Sequence, residues 1–203
     1  MVKVPRSVGE PTVLARHYIR ELVTEDFVHP KTAETYTRSM FYVKSRPVII
    51  FPVTSKKEVI FIRQYRHAAK EILAEIPGGN PKGEQTEIET LKSEFREETG
   101  YAPGRIIQLC PAMWWEPDSL RAQYSSYLAT DCVKIGEPQP SKMEYIVEVG
   151  TVAIEKWLEM IWAGVVLDSK TIVLTMLALP HLGMEIRKTY PISCEDLDEM
   201  WGK

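Results

Sequence analysis

Apolar residues recur along this chain with two different periods, and the switches between them mark off an alternating series of strands and helices. VIIFPV at 48–53 and EVIFIRQY at 58–65 are β-rich runs separated by Thr54-Ser55-Lys56-Lys57, which predicts a hairpin. A short strand over Leu73–Ile76 leads into the turn Pro77-Gly78-Gly79. From Thr86 the period becomes helical, and Ile88, Leu91 and Phe95 define the face turned to a core. Thr86 as N-cap and Glu89 three residues on make a capping box, and Gly100 closes the helix because it tolerates left-handed backbone. Ile106–Cys110 and Ala122–Thr130 predict two further strands with a Trp- and Pro-rich loop between them, and Tyr145–Val149 predicts another. Helices follow over Ile154–Trp162, stopped by Gly164, and from about Ser169 to Leu179. Residues 12–46 mix short apolar patches with charges, which predicts an N-terminal arm of irregular strands.

The candidate chemistry lies at the end of the first helix. Glu94 and Glu98, four residues apart, stack nearly above one another on a face other than the apolar one, with Glu97 beside Glu94. Carboxylates packed into the last turn repel one another and oppose the helix dipole, so they require full solvation or a cation. Carboxylate oxygens suit magnesium or manganese, and both ions are usual partners of substrate phosphates.

Composition narrows the setting. At 203 residues and 44% apolar, the chain suits one domain with a sizeable core, preceded by an extension. A net charge of -3 argues against an extended nucleic-acid surface. No apolar run reaches membrane-spanning length and MVKVPRSVGEPTV lacks the apolar centre of a signal peptide, which predicts a cytoplasmic protein without a membrane partner. Cys110, Cys132 and Cys194 are odd in number and widely spaced, so they suggest neither a disulfide framework nor a zinc site and read as small apolar residues.

The run GNPKGEQTEIETLKSEFREETGY at 79–101 resembles the Nudix box, G-x5-E-x7-R-E-U-x-E-E-x-G-U, where U is a large apolar residue. Gly79, Glu94, Phe95, Glu97, Glu98, Gly100 and Tyr101 match it without gaps. Gln85 stands in place of the early glutamate and Ser93 in place of the arginine. The two departures lose an acid and a base together, so neither leaves an unpaired buried ion. Glu84, one residue early, is the candidate to replace the missing acid. The resemblance spans roughly residues 46–180 and implies an α/β fold, the Nudix α/β/α sandwich, with a mixed sheet and an N-terminal β-rich extension. It divides the chain into an arm at 1–45 for dimerisation or strand exchange, a hydrolase domain at 46–180 and a tail at 181–203.

Flanking segments narrow the group. RQYRHAAKEILAEIPGG at 63–79 is similar to the strand and loop before the box in ADP-ribose pyrophosphatases and nucleoside-diphosphate-sugar hydrolases, through Gln64-Tyr65-Arg66 and Glu75-Ile76-Pro77-Gly78-Gly79. That similarity implies a metal held by the Gly78 carbonyl with Glu94, Glu97 and Glu98, and a substrate phosphate met by Arg66, with Glu75 also on the substrate side. Arginine suits the task because its planar fork donates paired hydrogen bonds to phosphate oxygens. The segment from Glu144 to Leu179 resembles the later part of the same group, with Gly164, Asp168, Lys170 and Thr171 holding its last turn. Glu144 is the nearest match to the glutamate that activates water there, and Glu148 is the second candidate; Glu97 joins Glu144 as a catalytic carboxylate.

CPAMWWEPDSLRAQ departs from the group, keeping only Pro117, Ser119 and Arg121 of the usual pattern. Its tryptophans, Trp114 and Trp115, either stack on a substrate base, a role assigned first to Trp114, or pack against the core or a second copy. The implied reaction is hydrolysis, dependent on magnesium or manganese, of the diphosphate in a nucleoside diphosphate linked to another moiety. ADP-ribose giving AMP and ribose 5-phosphate is the first substrate, nucleotide sugars come next, and the implied assembly is a homodimer. The altered box leaves a second reading, a Nudix-fold module that binds a nucleotide without cleaving it, as a sensor or interaction domain.

Overall fold

The computed structural model describes residues 2–185; Cys194 and the remainder of the tail from 186 onward lie outside the described residues. The centre of the fold is β4 (Val48–Thr54), buried along almost its whole length between neighbours on both edges. β5 (Glu58–Arg66) pairs with it in antiparallel fashion across the expected hairpin, and β10 (Leu120–Lys134) runs parallel to it from Ser125↔Val48 to Ala129↔Pro52. β11 (Ile146–Ala153) and β6 (Glu71–Glu75) flank β5, and the two-residue β7 (Gly78–Gly79) pairs with the start of β4.

Alternation along β4 sorts the core into two layers, as a pleated strand buried on both faces requires. Val48 and Ile50 join Ile60, Tyr127, Leu91 and Phe95, so this face carries α1 (Glu87–Thr99). Ile49, Phe51 and Val53 join Phe61, Trp157 and Leu174, so the other face carries α2 (Ile154–Trp162) and α3 (Ser169–Ala178). The result is a mixed sheet between helices, the α/β/α sandwich expected from the sequence.

Two regions differ from expectation. The arm is more continuous than expected: β1 (Arg6–His17), β2 (Arg20–Val28) and β3 (Thr35–Val43) form an antiparallel meander in which the β1–β2 pairing is irregular, shifting register between Val8 and Thr12 and between Val13 and Ala15, while β2 and β3 keep register from Arg20↔Val43 to Val28↔Thr35. Most of β1 and β3 is exposed, so no alternating apolar face reveals the strands in sequence. The meander meets the rest of the sheet through Phe41↔Leu120 and Tyr42↔Arg121.

The Trp- and Pro-rich segment is strand rather than loop. After the two-residue β8 (Tyr101–Ala102), β9 (Arg105–Glu116) carries the segment alongside β10 through the pairs Met113↔Tyr124 and Trp114↔Gln123. Only residues 117–119 turn, held by the Glu116 carboxylate, which accepts from the Asp118 and Ser119 N–H groups at 3.0 and 3.1 Å. Among the described residues β9 pairs with β10 alone, and Pro111 falls in the register shift between Cys110↔Ser126 and Met113↔Tyr124, where a missing N–H breaks no ladder.

Candidate active site

α1 is fastened at both ends, and this fixes where its glutamates point. At its start the Thr86 hydroxyl accepts from the Glu89 N–H at 3.3 Å, and the Glu89 carboxylate accepts from the Thr86 N–H at 2.8 Å. Glu87 reaches the sheet, accepting from the Ser125 hydroxyl at 2.7 Å and from the Tyr127 hydroxyl. Burial, then the hydrogen bond to Glu87, pushes Tyr127 up to about 12. At its end Gly100 adopts φ 76°, and its carbonyl accepts from Ile135 and Gly136 at 2.9 and 3.1 Å. A Cβ there would stand 2.3 Å from the Gly136 carbonyl oxygen, so the close approach requires glycine as much as the turn does.

The inward face of the helix differs from the expected one. Ile88 is 38% exposed, whereas Leu91, Glu94, Phe95 and Glu98 are all buried. The two glutamates therefore share the core-facing side instead of occupying a separate face, and the helix carries charge into its own packing surface.

Glu98 is 3% exposed and its Oε2 accepts from the Gly78 N–H at 2.9 Å. Burial pushes its carboxyl well above the usual range, and the nearby charges of Glu144 and Glu94 push the same way. Glu94 lies against Gly79 so closely that a Cβ on that glycine would stand 2.4 Å from the carboxyl. Burial raises Glu94 too, with Lys82 acting against it. The Lys82 ammonium lies 2.6 Å from Glu97 Oε2 and 3.3 Å from Glu94 Oε1, and the hydrogen bond to Glu97 holds it above its ordinary value. Gln85 Oε1 accepts from the Lys82 N–H at 3.0 Å, whereas the Ser93 hydroxyl donates along its own helix to the Thr90 carbonyl at 3.0 Å. Glu84 is exposed on the same loop.

The sheet side of the cleft is built around Arg66. Its Nε and Nη2 each donate at 2.6 Å to the two oxygens of Glu75, a residue only 2% exposed. Both oxygens of Glu75 accept from Arg66, so Glu75 holds the arginine, and Glu75 does not itself line the cleft. The fork leaves Nη1 and the second Nη2 hydrogen free of Glu75. Behind it, the Ile76 N–H donates to the Thr171 hydroxyl at 3.1 Å, and that hydroxyl donates at 2.8 Å to Asp168, the N-cap of α3. The late turn singled out in the sequence therefore braces the strand that leads to Gly78.

Arg66, Gly78, Lys82, Glu94, Glu98 and Glu144 line one cleft of about 780 Å³. Glu144 is delivered there by a tight turn, its Oε2 accepting from the Ser141 N–H at 2.9 Å. Glu148, the other candidate, pairs with Arg63 at 3.0 Å and does not line this cleft. Trp114 is not brought there either: it borders a separate hollow with Tyr42, Arg46 and Arg121. Successive strand residues face opposite sides, so Trp115 points the other way, packing on Tyr124 at 5.6 Å and beneath the Lys170 ammonium at 5.4 Å. Trp115 lines a pocket that shares Arg20 and Asn80 with the acidic cleft.

Tyr18 and Arg20, which no sequence signal marks, also line the cleft, as does Gln64. Tyr18 and Arg20 sit at the β1–β2 turn, far from the box in sequence and carrying no motif of their own. Gln64 belongs to the Gln64-Tyr65-Arg66 match, and its Oε1 is buried without a partner among the described residues.

Among the described residues no three His, Cys, Asp or Glu side chains form a ready-made metal cage. The donor set still suits a hard divalent cation. Glu94 and Glu98 are buried carboxylates in like-charge conflict, and Glu94 and Glu97 already draw in an ammonium. A cation at this end of α1 would also relieve the unfavourable alignment of negative charge with the helix dipole.

Comparison with known proteins gives the family and the fold. The family described as NUDIX domain matches residues 43–170. An ADP-ribose pyrophosphatase of Bacillus subtilis (strain 168) is 29% identical over 125 residues, covering 61% of this chain. The match spans 66% of that relative, just under two thirds of its length. A crystal structure of an ADP compounds hydrolase superposes with a TM-score of 0.77 at 13% identity, covering 90% of this chain and 96% of that one, a likeness of fold. Among the described residues no helix is long and apolar enough to cross a membrane.

Proposed function

The chain belongs to the NUDIX family, and from that premise we propose that it hydrolyses the diphosphate linkage of a nucleoside diphosphate joined to another moiety, with magnesium or manganese as its cofactor. The observation that carries this reading is one cleft holding a buried carboxylate pair, Glu94 and Glu98, together with an arginine fixed by a buried partner. ADP-ribose giving AMP and ribose 5-phosphate is the first substrate, supported by the similarity to the pyrophosphatase, with nucleotide sugars next.

Glu94, Glu97, Glu98 and the Gly78 carbonyl would hold the metal, which when bound supplies neutralising charge to the diphosphate and acidity to water. Arg66 binds a phosphate oxygen through the N–H groups that Glu75 leaves free, and Glu75 keeps the guanidinium from turning away. Glu144 lies on the same cleft without a place in the helix and accepts the proton of the attacking water. We also assign the chain to the cytoplasm as a homodimer formed through the meander, where Val8, Val13 and Leu14 of β1 are exposed.

The test is a panel of ADP-ribose, nucleotide sugars, dinucleoside polyphosphates and nucleoside triphosphates with magnesium, run on wild type and Glu98→Gln. Cleavage of ADP-ribose or a nucleotide sugar by wild type alone is the expected result. Ser93, standing in place of the box arginine, favours the second reading, a nucleotide-binding module. Thermal stabilisation by a nucleotide with no cleavage of any compound would establish it.

A further inference from the structure

The loop before α1 carries a cation of its own to the carboxylates assigned to the metal. Lys82 Nζ bridges Glu97 Oε2 at 2.6 Å and Glu94 Oε1 at 3.3 Å. Its main chain is anchored, with the N–H donating to Gln85 Oε1 at 3.0 Å and Gly83 turning the loop at φ 64°. The side chain remains 55% exposed, so the ammonium can leave both glutamates by rotation about its own bonds while the loop stays in place. Lys82 also lines the cleft that holds Arg66.

An ammonium and a divalent ion held by the same carboxylates repel each other, and the flexible, singly charged partner is the one that yields. We propose that Lys82 exchanges partners during loading: it holds Glu94 and Glu97 in the metal-free protein, is displaced when a divalent cation binds, and then takes a phosphate oxygen of the substrate. This rests on the reading of the cleft as a metal–diphosphate site. The exchange couples the two ligands, since a diphosphate that draws Lys82 away removes a competitor of the metal, and the coupling must be reciprocal.

Binding of manganese(II) alone, followed through loss of the free-ion electron paramagnetic resonance signal, tests the first half without turnover. Lys82→Met and Lys82→Gln should bind the ion about tenfold more tightly than wild type, within the ordinary range for coupled sites. Lys82→Arg should stay close to wild type. Adding α,β-methylene-ADP, which cannot be cleaved at the bridging position, should tighten manganese binding in wild type by a larger factor than in Lys82→Met. Unchanged or weaker manganese affinity in both neutral variants, each melting within a few degrees of wild type, would overturn the exchange while leaving the metal site intact. If Glu98→Gln bound manganese as wild type does, or no protein in the set bound it, the metal reading of the cleft would fail and the exchange with it.

Discussion

The two ends of α1 use the same amino acid for opposite purposes. At the start, Glu87 and Glu89 lie where the helix dipole favours negative charge, and each accepts hydrogen bonds: Glu89 from Thr86, Glu87 from Ser125 and Tyr127. The backbone hydrogen bond from Thr86 holds Glu89 below the usual range. At the end, Glu94 and Glu98 face the unfavourable pole, are buried, and are pushed upward by that burial. The capping box and the sheet anchor stabilise the helix enough for its last turn to carry carboxylates in conflict. Such conflict at one end of an otherwise satisfied element is what a site built for a cation requires.

The two ends of α1 should differ most in turnover. Glu98→Gln keeps the shape and the acceptor for Gly78 but removes the charge, and should lower kcat for ADP-ribose roughly 10³-fold, the several kcal/mol that a metal supplies. Glu89→Gln, the same change at the other end, should stay within about twofold, because the neutral side chain can still accept from Thr86. Equal losses in the two variants would sink the division between the ends. Glu144→Gln should lower kcat roughly 10²-fold, the scale of a lost general base, and Glu148→Gln should leave it unchanged because Glu148 is held by Arg63 away from the cleft. Steady-state kinetics over a magnesium series separates these effects from a weaker metal.

Much of this contrast was legible in the sequence, for local reasons. The capping box, the Gly100 cap, the hairpin at 54–57 and the limits of α2 and α3 depend on neighbouring residues alone. What depended on distant pairing was not legible. Ile88 fits the helical period but projects past the edge of the sheet-facing stripe, whereas Glu94 is buried because Gly79 lets it lie on the backbone. Trp114 and Trp115 are adjacent in sequence, and only the β9–β10 register decides which one borders the hollow with Arg121 and which the pocket beside the cleft. Tyr18 and Arg20 reach the site through a turn whose strands hide their period in an exposed meander. Glu75 has the residue type of a ligand-binding group, and only the paired distances to Arg66 show that it holds the arginine.

Stability separates the two ends by sign. Thr86→Ala removes the side-chain half of the capping box and should cost about 1–2 kcal/mol. For a chain of this size that lowers Tm by roughly 2–4 °C per kcal/mol, with kcat at saturating metal unchanged. Calorimetry of the metal-free protein checks it. A loss of turnover matching the loss of stability would mean that the N-terminal anchor also sets the geometry of the acidic end.

The opposite sign is expected at the acidic end, and pH reveals it. Glu98 has a folded-state pKa raised above its unfolded value, so the stability linked to its proton is fully present below the ordinary glutamate range and is lost as pH rises through the raised value. Metal-free wild type should therefore melt progressively lower as pH climbs from the ordinary glutamate range, since the folded state must either retain a proton or hold a buried charge. Glu98→Gln carries no such proton, so its Tm should lack this share of the fall and, at neutral pH, exceed that of wild type by a few degrees, about 1 kcal/mol. Below the ordinary glutamate range the two proteins should converge, because wild type is then neutral at this position in both states. Saturating magnesium should reverse the ranking at neutral pH, since only wild type gains full stabilisation by the ion. A Glu98→Gln protein less stable than wild type across the whole metal-free series would mean that the Gly78 hydrogen bond, not the buried charge, governs this end of the helix.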